Sequence, residues 1–131
     1  MSYEVTFMLK PKYLHAVVTG ENSEENVAGY LEEILRECKA RDCHRLLIEE
    51  RLEGPRLGTM SVFQIASQGA GRARGQFEAI AYVDLNAKGD LMKFAETVAF
   101  NRSLPVSVFS SVSEAEKWLE GMDRNPGLGK S

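Results

Sequence analysis

A single α/β domain, with an N-terminal β-hairpin followed by alternating strands and helices around a mostly parallel sheet, is the fold this sequence predicts. Three observations carry it. Two β-forming runs flank Pro11, apolar stripes recur at helical spacing, and short apolar runs stand between those stripes.

The elements follow in chain order. "YEVTFML" alternates, "KPK" breaks it, and "YLHAVVTG" ends at Gly20, which reads as a hairpin. In "ENSEENVAGYLEEILRECKARDC", Val27, Tyr30, Leu31, Ile34, Leu35 and Cys38 form one helical stripe. Asn22 or Ser23 is placed to cap it, with Glu25 in capping-box register to Asn22. "HRLLIEE" is a nearly continuous apolar run, the kind a strand buried on both faces shows. Met60, Phe63, Ile65, Ala66 and Ala70 outline a second helix, eroded by Gly69, Gly71 and Gly75. "EAIAYVD" is the next strand. Leu91, Phe94, Ala95, Val98 and Ala99 mark a third helix capped by Asp90. "LPVSVF" is a strand entered through Pro105, and "SSVSEAEKWLEGM" a final helix with Ser113 and Glu116 as its capping box. The order is β-β-α-β-α-β-α-β-α. The domain spans 1–122, and 123–131 reads as a flexible tail without periodicity.

The bulk numbers narrow the function. A chain of 131 residues with 44% apolar and 27% charged residues is ordinary globular material that needs no metal or disulfide to stand. A net charge of −3 gives phosphate-backbone binding no support, so no nucleic-acid partner is expected. No apolar run approaches the roughly 20 residues of a membrane span. The first ten residues lack the layout of a secretory leader, and the chain reads as cytoplasmic with reduced thiols. Cys38 and Cys43 are the only cysteines, and C-x4-C without a second pair is no zinc site. Neither a metal nor another cofactor is expected.

Two motifs imitate nucleotide chemistry and fail. "GLGKS" at 127–131 lacks the first glycine of a P-loop, where Arg124 stands, and no helix follows Ser131. "GAGRARG" at 69–75 is one residue too long for a dinucleotide turn and precedes a strand where the fingerprint follows one. His15 and His44 read as surface or half-buried imidazoles with no nucleophile beside them in sequence.

The carboxylates are the better signal. Glu49 and Glu50 end "LLIEE", and Asp84 ends "AYVD". In an open parallel sheet the carboxyl ends of the strands share one edge, where ligands bind. Glu53, Thr59, Asn86, Ser110 and Ser111 are expected in loops on that side. Two close carboxylates there would split their titrations for acid–base work, whereas acids ahead of helix starts serve caps and dipoles.

A hairpin followed by βαβαβα, with "RLLIEERLEGPRLGTMSVFQIA" in the middle and "VAFNRSLPVSVFSSVSEAEKWL" at the end, resembles the STAS-type fold of sulphate-transporter tails and anti-sigma-factor antagonists. It is similar above all to the SpoIIAA-like branch of small stand-alone bacterial proteins, whose last helix carries the Ala-x-x-Trp-Leu ending seen at Ala115, Trp118 and Leu119. The resemblance covers about residues 3–120 and implies a non-enzymatic regulatory module. Antagonists of the family carry an Asp-Ser-Ser-Gly-Leu-like switch at the start of the second helix, phosphorylated by a partner kinase. Laid on residues 58–62, that motif places Gly58 at the aspartate, Thr59 at the first serine and Met60 at the phospho-acceptor. Ser61 then falls on the glycine, and a shift of one residue brings Thr59 or Ser61 into place.

Three readings follow. The first is an interaction module that grips a protein partner of kinase or regulator type around Thr59, Met60, Ser61 and Phe63. The second is a binder of a small apolar or anionic ligand at the strand-end edge, with Glu49, Glu50, Asp84 and Asn86 beside Met60, Phe63 and Met92. The third is an enzyme using Glu49, Glu50 or Asp84 as acid and base. The edge strand of the hairpin is also a candidate for homodimer pairing across a two-fold axis.

Overall fold

The computed structural model describes residues 3–53, 60, 64–68, 71, 75–84, 90–101 and 105–121. Five strands and three bounded helices run in the order β1 (Tyr3–Leu9), β2 (Leu14–Glu21), α1 (Glu24–Arg41), β3 (Arg45–Glu53), β4 (Ala79–Asp84), α2 (Asp90–Asn101), β5 (Val106–Phe109) and α3 (Val112–Gly121). Between β3 and β4, residues 60, 64–68 and 71 are helical as well, where the sequence places its second helix. The strands lie side by side in chain order. β1 pairs antiparallel with β2, and the pairs β2–β3, β3–β4 and β4–β5 are parallel. Residues 122–131, with the "GLGKS" ending, fall outside the described residues, as do residues 72–74 of "GAGRARG".

Side-chain alternation divides the strands between two cores. Leu14, Ala16, Val18, Leu46, Ile48, Leu52 and Ile80 face one side, where Val27, Tyr30, Ile34 and Cys38 of α1 cover them together with Ala99 of α2. Ile65 packs against the same core. On the second side, Leu47, Ala79, Ala81 and Val83 are buried with Ala115 and Leu119 of α3. Tyr13, at the hairpin turn, ties into that layer through a 2.8 Å hydrogen bond from its hydroxyl to Glu116 Oε2. Burial, then the Glu116 bond, holds the Tyr13 hydroxyl well above its ordinary titration range. The helical stripe read from the sequence is therefore the buried face of α1, and the Cys38 thiol, pushed up to about 12 mainly by burial, is inert. No helix of the described residues is long and apolar enough to cross a membrane.

The element ends correct three expectations. Glu49 and Glu50 do not end their strand: β3 runs on through Arg51, Leu52 and Glu53, because β2 continues beside it as far as Glu21. The N-cap of α1 is Ser23, whose hydroxyl accepts from Asn26 N–H at 3.1 Å, so the Asn22–Glu25 capping box does not form. Asn26 instead turns its side-chain amide back to the Glu21 carbonyl at 2.9 Å. The cap of α3 is Ser111, two residues ahead of the expected Ser113, with its hydroxyl accepting from Glu114 N–H at 3.2 Å.

α1 closes with Asp42 in the left-handed region at φ 56°. Asp42 N–H bonds the Lys39 carbonyl and Cys43 N–H the Cys38 carbonyl, the paired bonds of a Schellman ending. A side chain in that region carries a steric cost that glycine avoids. Asp42→Gly should raise stability by about 0.5–1 kcal/mol in urea titration, since the Asp42–His44 pair it removes is solvent-exposed.

Candidate functional site

The acids at the ends of β3 and β4 are not one group. Consecutive residues of a strand point to opposite faces, so Glu49 and Glu50 stand on opposite sides of the sheet although both are buried. Glu50 and Asp84 lie directly opposite each other in register and so share a face.

On the first face Glu50 meets two tyrosines. Tyr82 donates to Glu50 Oε2 at 2.8 Å. Tyr30, from α1, donates to the same oxygen and also contacts the Tyr82 hydroxyl. Three oxygens in mutual contact thus hold two hydroxyl hydrogens. Asp84 stands beside Glu50 on this face, directly opposite it in register. Burial is the main cause that raises Glu50 above the usual glutamate range, and Asp84 adds to it, while the two tyrosine donors pull the other way. Burial first, then neighbouring charge, holds both tyrosine hydroxyls protonated far above their ordinary range.

On the second face Glu49 is held by two cations or donors. His15 Nε2 lies 2.9 Å from Glu49 Oε1. Arg51 reaches Oε2 with Nε at 2.6 Å and with a second nitrogen, Nη2. His15 is only 6% exposed, so the half-buried or surface imidazole expected from the sequence is corrected. The expectation fails because Glu49 supplies a buried partner from a different strand, at a separation of 34 residues. His44 does sit at the surface, its Nδ1 bonded to the Gln76 carbonyl at 2.8 Å.

Of the other residues singled out from the sequence, Met60 is helical and 68% exposed. Thr59, Ser61, Phe63 and Asn86 lie outside the described residues. Tyr30, which the sequence places only in a packing stripe, and Tyr82, which the sequence does not single out, complete the Glu50 cluster. Tyr82 precedes Asp84 by two, which puts both on one face, and this spacing was the available signal. Among the described residues no group of three His, Cys, Asp or Glu is arranged to hold a metal ion.

No family model matches the sequence, and no curated protein matches it. A solved structure does: an uncharacterized protein from the DUF3478 family with a SpoIIAA-like fold from Shewanella loihica PV-4. The two share 18% identity with a TM-score of 0.56, covering 90% of this chain and 94% of the other. The fold is SpoIIAA-like. The order, the mostly parallel sheet and the helices on both faces are those the sequence resemblance implies. Within this SpoIIAA-like frame, β3 and β4 place Glu50 and Asp84 side by side.

Proposed function

We propose that the chain is a non-enzymatic regulatory module of STAS type that docks a protein partner, of kinase or regulator kind, on the surface around the exposed Met60. The observation that supports this reading most is the contrast between Met60 and the acids. Met60 turns a large apolar side chain to solvent, while Glu49, Glu50 and Asp84 are buried and Glu49 and Glu50 are hydrogen-bonded to side chains of the chain itself. An exposed methionine is an adaptable contact for a partner. Carboxyls already engaged inside the fold are poorly placed to exchange protons with a substrate.

Met60→Glu is the test. The exposed position predicts an unchanged circular dichroism spectrum and melting temperature. Partner recovered from a native extract should fall about tenfold, as for loss of an apolar anchor. Undiminished recovery with the folded variant contradicts the reading. A second reading, a small ligand, rests on the Glu50–Asp84 pair beside Tyr30 and Tyr82. It calls for native mass spectrometry to find a retained mass that Glu50→Ala loses.

A further inference from the structure

β1 is an edge of the sheet, and nothing among the described residues pairs with its outer side. The two edges differ. β5, at the far side, has four residues, and a short edge is one way that proteins keep a sheet from pairing. β1 has seven, with no proline inside it and a one-to-one register to β2 that no bulge interrupts.

The hairpin fixes which backbone groups face outward. Lys10 N–H bonds the Tyr13 carbonyl at 2.9 Å, so Lys10 and Tyr13 form a hydrogen-bonded pair. Antiparallel pairs alternate between bonded and non-bonded. Met8, Thr6 and Glu4 therefore bond inward to β2, and Leu9, Phe7, Val5 and Tyr3 point their N–H and C=O groups out from the edge. The outward set is apolar in its side chains as well. Tyr3, Val5 and Phe7 pack beside the α1 core, and Leu9 is 67% exposed.

We propose that this edge binds a second copy of the chain, β1 against β1 antiparallel, with the two-fold axis at Phe7. Charge selects the register. With the axis at Phe7, Glu4 of each copy stands directly opposite Lys10 of the other, on the face that also carries Thr6 and Met8. On the α1 face, Val5 meets Leu9 and the two Phe7 rings meet at the axis. With the axis at Thr6, Glu4 faces Met8 and Lys10 faces nothing in the strand. The Phe7 register places an opposite-charge pair at each end, and directly opposed charges of opposite sign stabilise a strand pair. A two-fold interface makes every such contact twice. Pro11, which has no N–H to give, ends the ladder. The result is one continuous sheet across two copies.

Analytical ultracentrifugation of the full chain through the micromolar range tests this with three variants. The wild type should sediment as a dimer. Leu9→Pro removes an outward N–H without touching the β1–β2 ladder, and should give a folded monomer. Glu4→Lys and Lys10→Glu each set like charges opposite one another twice, and each should raise the dimer dissociation constant about tenfold. The double variant should return it to within about threefold of wild type. A wild type that stays monomeric throughout, or a double variant no tighter than the single ones, overturns the proposal. So does a dimer that folded Leu9→Pro leaves intact. If Leu9→Pro fails to fold, the charge exchange decides.

Discussion

Leu119→Ala should cost about 2–5 kcal/mol, the range for emptying a fully buried leucine site. Leu119 has no exposed surface, and α3 is the helix of the described residues that packs on the second face of the sheet. Its neighbours offer little to close the gap. Ala79, Ala81 and Ala115 are small and backbone-fixed, and Trp118 is already tilted against Phe109 with ring centroids 5.5 Å apart. A cavity that cannot collapse loses both the transfer energy and the contacts of its lining. Urea unfolding of the variant reads the loss as a lower midpoint at an unchanged slope. An unchanged midpoint would mean that α3 is not the cover of that face.

Tyr30→Phe should cost about 1–3 kcal/mol, because a buried carboxyl loses one of its two hydroxyl donors. The cost depends on pH in a definite direction. Burial raises Glu50 in the folded state above its ordinary value. The stability that this lends is complete below the ordinary glutamate range and is lost as pH rises through the raised value. The Tyr30 donor favours the ionised form, so its removal raises Glu50 further. The variant therefore loses more stability at high pH than at low pH. Glu50→Gln does the reverse. Its amide carries no charge to desolvate and has N–H groups to give Asp84, so the fall in stability with rising pH flattens. Denaturant midpoints across pH for wild type and both variants check the sign. A Tyr30→Phe penalty that shrinks with rising pH would mean that Glu50 is not ionised into this cluster.

The architecture was legible in the sequence because its signals are local. The stripe from Val27 to Cys38 and the apolar run Leu46–Ile48 each carry their own periodicity, and the crossover order follows from alternation. Caps were legible only to within a residue or two, since Ser111 and Ser113 are equally good hydroxyls and the α3 apolar face chooses between them. The site was legible in part. That Glu50 and Asp84 stand side by side follows from the parallel pairing of β3 with β4. That Glu49 faces away from Glu50 follows from period-two alternation, and the expectation of one shared edge overlooked it. The partners were not legible. Tyr30 comes from a helix packed on the sheet, His15 from the neighbouring strand β2 and Arg51 from an extension of β3 two residues past Glu49, and the fold brings them to Glu50 and Glu49. A tyrosine inside an apolar stripe gives no sign that its hydroxyl will meet a carboxyl 20 residues away.

The two clusters explain why such polar residues persist inside a fold of this size. A buried carboxyl left alone destabilises, and each of these is hydrogen-bonded or paired with opposite charge.

The sheet divides the neighbouring acids Glu49 and Glu50 into separate clusters with separate partners. Carboxyl carbon NMR of Glu50 across pH tests this division most directly, in wild type, Tyr82→Phe and Arg51→Gln. Glu50 should titrate above the usual glutamate range, move further up in Tyr82→Phe, and stay at its wild-type position in Arg51→Gln, whose side chain lies across the sheet. A Glu50 that titrates in the ordinary range, or that follows Arg51→Gln as strongly as Tyr82→Phe, would place both acids in one site and contradict the account.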